Sequence, residues 1–300
     1  MARILITGVT GSLGRRVAAR AAGAGHTVVG THVSSCDPET HAAVLLGASP
    51  RVTGAKGASS HAAAAPGPAC VRLDIRDRDA VRDVVDTVGP DYVIHAAAAR
   101  DRNDWTINAD GAANVALACR NVRLVHVSSD AIFAGRSDRE YTEGDEPEPV
   151  YRYGAAKAAA ETAVRAAAPA AAIVRTSLIL AEGDGGHEAL THDLIAGRID
   201  GALYADEIRK PVHVDDLADA LLELAAGDYR GILNVAGADA VSRYELGVLV
   251  AQRDGLDASR LRSASSSGRP GDVRLDIGRA TGLLHTRLRG AHEFMAPATP

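Results

Sequence analysis

The chain has 300 residues and a formal net charge of −5 at pH 7, with 46% hydrophobic and only 3% aromatic residues. That length allows one or two domains, and an aliphatic core is typical of parallel sheets covered by helices. The scattered basic residues form no block that would favour nucleic acid or an anionic membrane. No apolar run reaches the length of a membrane span, and the short apolar start is unlike a signal peptide. We therefore expect a cytoplasmic protein, in keeping with three widely spaced cysteines.

Strand-like and helix-like segments alternate from the first residue onward. Short aliphatic runs predict strands near residues 3–6, 25–29, 70–73, 91–95, 122–127, 171–175 and 231–235. Helical periodicity predicts helices near residues 13–24, 79–88, 107–120 and 153–168. This alternation predicts an α/β fold, a Rossmann-type doubly wound parallel sheet with helices on both faces.

Two stretches interrupt the alternation. Residues 34–68 are rich in Ala, Gly, Ser and Pro, and we predict a loop there with one helical turn near residues 41–46. We assign residues 1–175 to a dinucleotide-binding domain, to whose sheet residues 211–236 return. Residues 176–210 and 237–300 are predicted to form a smaller substrate-binding lobe over the carboxyl edge of the sheet, where open α/β sheets bind ligands.

A glycine motif follows the first predicted strand and opens the first helix. Gly8 suits the tight turn, Gly11 lets the backbone approach a pyrophosphate, and Gly14 permits close packing of helix on strand. Amide groups at the start of a helix also favour phosphate. We predict a dinucleotide site here, to which Thr10, Ser12 and Leu13 contribute.

The spacing of these glycines resembles that of the extended short-chain dehydrogenases/reductases. The resemblance implies that Asp74, followed by Ile75 at the end of the third strand, contacts the adenine amino group. It also implies that small residues after the fourth strand let the backbone pass the cofactor, namely Ala96, Ala97 and Ala98.

The end of the second predicted strand bears on the choice of cofactor. An acidic residue there would bind the ribose 2′-hydroxyl and disfavour a 2′-phosphate, but this chain has Thr31 and His32. Arg15 and Arg16 follow the glycine turn closely. These residues favour NADP(H), with NAD(H) as the alternative, although both arginines also fit a solvated helix surface.

Tyr153 and Lys157 lie four residues apart on one predicted helix, so the phenol and the ammonium can meet at one site. A phenol has an ordinary pKa near 10, and a nearby cation brings it toward use as a proton donor near neutral pH. In the family, a hydroxyl after the fifth strand polarises the substrate carbonyl. We favour Ser129 for this role, with Ser128 as the competitor, and predict Ser129, Tyr153 and Lys157 as the catalytic residues.

Later segments resemble the dTDP-4-dehydrorhamnose reductase-like branch of sugar-nucleotide reductases. The resemblance rests mainly on residues 128–135 (SSDAIFAG), 174–177 (VRTS), 209–218 (RKPVHVDDLA) and 269–272 (RPGD). It implies that Ser128, Tyr153, Lys157 and Thr176 lie along the nicotinamide and its ribose. Ser129 and Tyr153 would meet the substrate, and the cations assigned to its diphosphate are Arg209, Lys210 and Arg269. The segments near residues 100–105 and before Asp206 are shorter than in that branch, which leaves the sugar open.

The leading hypothesis is therefore an NADPH-dependent reductase of the 4-keto group of a nucleotide-activated deoxysugar. The alternatives are a sugar-nucleotide epimerase or dehydratase with tightly bound NAD, a ketoreductase of a non-sugar metabolite, and a non-catalytic NAD(P)-binding sensor. The histidines show no metal-ligand spacing, so no metal is assigned. Homodimers are common in the superfamily that the chain resembles, but the sequence shows no interface, so the oligomeric state stays open.

Overall fold

The computed structural model describes residues 1–33, 69–136, 138–181 and 186–296. The loop and helical turn predicted for residues 34–68 lie outside these ranges. The strands of the described residues are β1 (Arg3–Thr7), β2 (Thr27–His32), β3 (Ala69–Arg72), β4 (Tyr92–His95), β5 (Arg123–Val127), β6 (Ala172–Arg175), β7 (Ile179–Leu180), β8 (Leu203–Tyr204), β9 (Ile208–Arg209), β10 (Val212–His213), β11 (Gly231–Asn234), β12 (Val241–Ser242) and β13 (Ser263–Ala264).

The α-helices of the same residues are α1 (Ser12–Gly23), α2 (Arg78–Val88), α3 (Ala112–Ala118), α4 (Arg152–Ala167), α5 (Gly186–Ile195), α6 (Val214–Ala226), α7 (Arg243–Arg253), α8 (Gly278–Leu283) and α9 (Ala291–Phe294). A π-helical segment (Thr106–Gly111) leads into α3, and short 3₁₀ turns cover Asp130–Ile132 and Ala258–Arg260. None of the helices in the described ranges is long and apolar enough to cross a membrane.

Seven strands form one sheet in the order β11-β6-β5-β4-β1-β2-β3. Every neighbouring pair in it is parallel, and its strands are the seven predicted from the aliphatic runs. The Rossmann-type α/β class is therefore confirmed. The order reverses at β1, which has β2 on one side and β4 on the other. Chain connections leave this point in opposite directions, and the resulting crevice at the carboxyl ends of the strands is where such sheets bind ligands.

Alternation along each strand divides the core between the two faces of the sheet. On one face, Ile4 and Ile94 pack with Val17 of α1 and Leu217 of α6. On the opposite face, Leu5 and its neighbours pack with residues of α2, α3 and α4. Helices therefore cover both faces, and α4 lies beside the carboxyl ends of β4 and β5.

Within the described residues, three short strand pairs lie outside this sheet. β7 pairs with β10, β9 with β12, and β8 with β13. At the end of β11, the side-chain amide of Asn234 donates hydrogen bonds to the carbonyls of Tyr141 (2.8 Å) and Asp276 (3.1 Å). This single side chain joins the edge of the sheet to two segments that are distant in sequence.

Candidate active site

A cleft of about 1520 Å³ lies across the carboxyl ends of the sheet strands. Its lining includes the glycine turn, the ends of β2 to β6, the start of α4, and residues of α5 and α7. Most of the predicted site residues border this cleft, and they are Gly8, Thr10, Gly11, Ser12, Leu13, Gly14, His32, Asp74, Ile75, Ala96, Ala97, Ala98, Ser128, Ser129, Tyr153, Lys157, Thr176, Arg209 and Arg269. Arg15 and Lys210 do not line it.

The glycine turn packs too closely against its surroundings to accept side chains. Gly8 has φ +74°, and a Cβ atom there would lie 2.6 Å from the Cα atom of Ala97. A Cβ atom on Gly14 would collide with the carbonyl oxygen of Gly8. Gly11 caps α1 without a side-chain hydrogen bond, so the first amide groups of the helix are left for a ligand. The turn fits the pyrophosphate of a dinucleotide.

Replacing Gly14 by Ala is expected to weaken NADPH binding about 10-fold or more, because overpacking a tight contact costs about 1–3 kcal/mol. Fluorescence titration with NADPH measures this effect. Gly23→Ala is the matched control, since it lies in the same helix and a Cβ atom there meets nothing within 4 Å. Equal affinities of the two variants would contradict a pyrophosphate contact at this turn.

Asp74 lies in the cleft just beyond the ends of β3 and β2. Its carboxylate accepts hydrogen bonds from the Arg76 guanidinium at 2.5 Å and from the Arg76 amide at 3.0 Å. These bonds hold the pKa of Asp74 below its ordinary value, so the carboxylate is charged at neutral pH. A charged acceptor at this position suits the adenine amino group that the family resemblance assigns to it.

Close packing of the first turn of α4 brings Tyr153 to the cleft. A Cβ atom on Gly154 would collide with the carbonyl oxygen of Ala131, so the helix start lies directly against the 3₁₀ turn that begins at Asp130. Ser129 caps that turn and accepts a hydrogen bond from the Ala131 amide at 3.2 Å. Ser129 and Tyr153 both line the cleft. Burial raises the pKa of Tyr153, and the neighbouring Ser129 hydroxyl opposes this rise.

The two candidate serines have different partners. The Ser128 hydroxyl donates a buried hydrogen bond of 2.5 Å to the carboxylate of Glu161. Glu161 also forms a buried ion pair with Arg175 at 2.9 Å. Ser128 is thus held toward the interior, whereas Ser129 lies beside Tyr153.

Lys157 is 4% exposed, and its ammonium donates a 2.6 Å hydrogen bond to the carbonyl of Val127. Burial lowers the pKa of Lys157 to about 8, against an opposing effect of the Glu161 carboxylate. The cation that lies over the Tyr153 ring in this structure is Arg102, which the sequence reasoning did not single out. Arg102 comes from the segment after β4 and borders the cleft.

Arginines from β9, α7 and the segment 268–270 line one part of the cleft. Arg209 is buried and donates to the carbonyls of Ile208, Pro270 and Gly271, with its Nε atom 3.8 Å from the Asp130 carboxylate. Arg269 pairs with Glu207 and lies over the Tyr204 ring.

Arg243, at the start of α7, lines the cleft as well and lies 3.5 Å from Glu207. Sequence reasoning did not assign it to the site, because the capping box of Ser242 and Glu245 marks where the helix begins and not which of its side chains reaches the cleft. Lys210 is buried away from the cleft, where its ammonium contacts the Glu140 carboxylate at 3.1 Å. The structure therefore groups Arg243, and not Lys210, with Arg209 and Arg269.

A phenol and a lysine on one helix, with a serine hydroxyl beyond the end of β5, line a cleft at the switch point of a dinucleotide-binding sheet. These features define the short-chain dehydrogenase/reductase class. Within it, residues 2–276 match the family described as the RmlD substrate binding domain, and the chain belongs to that family. The resemblance stated from the sequence is thereby confirmed.

Individual relatives agree with this assignment. The chain is 34% identical over 283 residues to dTDP-4-dehydrorhamnose reductase from Mycolicibacterium smegmatis, covering 89% of this chain and 74% of that protein. Its structure is similar to dTDP-4-dehydrorhamnose reductase from Bacillus anthracis in complex with NADP, with a TM-score of 0.76, 23% identity, and 98% and 97% of the two chains covered. WbmH from Bordetella bronchiseptica in complex with NAD⁺ matches with a TM-score of 0.78, 21% identity, and 99% and 97% covered. At these identities the two structures support the fold.

Proposed function

We propose that this chain is an NADPH-dependent reductase of a keto group, acting on the 4-keto group of a nucleotide-activated deoxysugar. The observation that carries the proposal is that Ser129, Tyr153 and Lys157 line the same cleft as the glycine turn. The name of the M. smegmatis relative, dTDP-4-dehydrorhamnose reductase, supports the substrate class.

Each residue of the cluster has a distinct task in this reaction. NADPH, when bound, supplies the hydride, and the α1 amides and Lys157 would hold it. Ser129 donates a hydrogen bond to the keto oxygen and orients the carbonyl. Tyr153 gives its proton to the same oxygen as the carbonyl is reduced. The pKa of Tyr153, raised by burial, keeps the phenol protonated at neutral pH before the reaction.

The charges of the lobe support a diphosphate-bearing substrate. Three guanidinium groups border this part of the cleft (Arg209, Arg243 and Arg269), and the acidic side chains beside them are Asp130 and Glu207. Two carboxyl groups therefore face three guanidinium groups, which leaves an excess of positive charge. A diphosphate would supply compensating negative charge. One guanidinium group can donate two parallel hydrogen bonds to two oxygens of a phosphate.

NADPH is the proposed cofactor because the end of β2 offers no carboxylate to repel a 2′-phosphate. The residues that line the cleft there are Thr31, His32 and Val33. The proposal also includes a cytoplasmic location, which the sequence predicts, and a homodimer, which is common in the superfamily that the chain resembles.

The test is an absorbance assay with purified protein, NADPH or NADH, and either dTDP-4-keto-6-deoxyglucose or dTDP-4-dehydrorhamnose. We expect stoichiometric loss of the reduced nicotinamide signal, faster with NADPH. If NAD(H) co-purified with the protein and product formed without net consumption of reduced cofactor, the result would support an epimerase or dehydratase. Cofactor binding without turnover of either sugar would refute the sugar-nucleotide assignment and favour another keto substrate or a sensor.

A further inference from the structure

The segment after β4 presents Arg102 to the cleft on a well-anchored backbone. The side-chain amide of Asn108 donates to the Arg102 carbonyl at 2.9 Å, and its oxygen accepts from the Ala99 amide at 3.1 Å. From α4, the Arg152 guanidinium donates to the Asn103 carbonyl at 2.8 Å. The segment is therefore tied both to the helix that follows it and to the helix that carries Tyr153.

The Arg102 guanidinium lies over the aromatic face of Tyr153, with its central carbon 5.6 Å from the ring centroid. This distance is within the range of cation–π attraction. Both residues border the cleft, so the cation and the phenol face the same space.

The groups facing Tyr153 come from several elements. Arg102 and the Ser129 hydroxyl favour its ionised form, whereas burial, Asp130 beyond the end of β5, and Tyr151 before α4 oppose ionisation. Lys157 shares the helix, but its ammonium is bonded to the Val127 carbonyl at 2.6 Å.

We propose that Arg102 is a positioning residue for catalysis, whose guanidinium stabilises the phenolate of Tyr153 while the phenol is without its proton. This inference rests on the proposed reductase function. In that reaction the keto carbon gains a hydride from the reduced cofactor, the keto oxygen takes the Tyr153 proton, and negative charge stays on the phenolate until solvent returns a proton. Arg102 acts in this interval, when the charge on Tyr153 is largest.

Burial and Asp130 raise the pKa of Tyr153, and Arg102 lowers it. Removing the Arg102 guanidinium should therefore raise this pKa further. An opposite charge within about 4–6 Å of a titrating group shifts its pKa by about one unit or more. In Arg102→Gln we therefore expect the midpoint of Tyr153 ionisation to move up by about one pH unit. The midpoint of Arg102→Lys should lie between those of Arg102→Gln and the wild type. In the turnover assay, the alkaline limb of kcat/KM for reduction, where Tyr153 loses its proton, should move up by the same amount.

The primary readout is the ultraviolet titration of tyrosinate in the NADP⁺-bound protein, taken as the difference between each protein and its Tyr153→Phe counterpart. Circular dichroism over the same pH range restricts the comparison to folded protein. Arg100→Gln removes the same charge from the same segment and should leave the midpoint at the wild-type value. An unchanged midpoint in Arg102→Gln, or an equal shift in Arg100→Gln, would overturn the inference. Because the titration needs no substrate, it remains decisive even if neither sugar is reduced and the proposed function fails.

Discussion

The Tyr153→Phe variant is expected to reduce the keto substrate about 10²- to 10⁴-fold more slowly than the wild type, which is the usual contribution of a positioned general acid. The phenyl ring keeps the packing of α4 against the 3₁₀ turn at Asp130 but has no proton to give. NADPH affinity should therefore stay within a few-fold of the wild-type value. Steady-state kinetics combined with a fluorescence titration separates the loss of turnover from a loss of binding.

Tyr151→Phe is the matched control for this experiment. Tyr151 also lines the cleft, but it is 42% exposed, precedes α4, and has no lysine four residues on. We expect its removal to cost much less than that of Tyr153. A comparable loss of turnover in both variants would show that Tyr153 is not the sole proton donor.

Glu161→Ala is expected to lower the free energy of unfolding by about 3–5 kcal/mol, the usual cost of removing one partner of a buried ion pair. Glu161 and Arg175 are only 3% and 1% exposed, and the substitution leaves the guanidinium charged and buried. It also removes the acceptor of the Ser128 hydroxyl. Urea unfolding followed by circular dichroism measures the change.

Two further variants distinguish a buried charge from a simple loss of volume. Glu161→Leu combined with Arg175→Met should recover much of the loss, because apolar residues of similar size often replace a buried pair without cost. Glu148→Ala breaks the exposed pair with Arg136 and should cost far less, as surface pairs do. If Glu161→Ala were no more destabilising than Glu148→Ala, the ion pair would not be a major contributor to stability.

The sequence was sufficient to locate the sheet, because each of its seven strands is a compact aliphatic run. The glycine turn was equally predictable, since a turn packed this closely leaves little room for side chains at three positions of fixed spacing. Glu161 could also have been noticed, because it follows Lys157 by one helical turn and shares its face.

The direction in which individual side chains point was harder to predict from the sequence. Successive residues leaving a strand point to opposite sides, so the pattern alone could not separate Ser128 from Ser129. The same holds for Arg209 and Lys210, of which one borders the cleft and the other contacts Glu140. Arg102 and Arg243 reach the cleft through tertiary packing of distant segments, for which the local sequence carries no period.

The placement of β11 at the edge of the sheet has a consequence for biosynthesis. Its partner β6 is complete at Arg175, yet β11 begins only at Gly231, so a ribosome must add residues 176–230 before the sheet can close. Pairings between distant segments form slowly, and an unpaired edge is a template for another chain. During synthesis, the nascent protein therefore passes through a stage in which β6 is open to neighbouring chains, and the arrival of β11 ends that exposure.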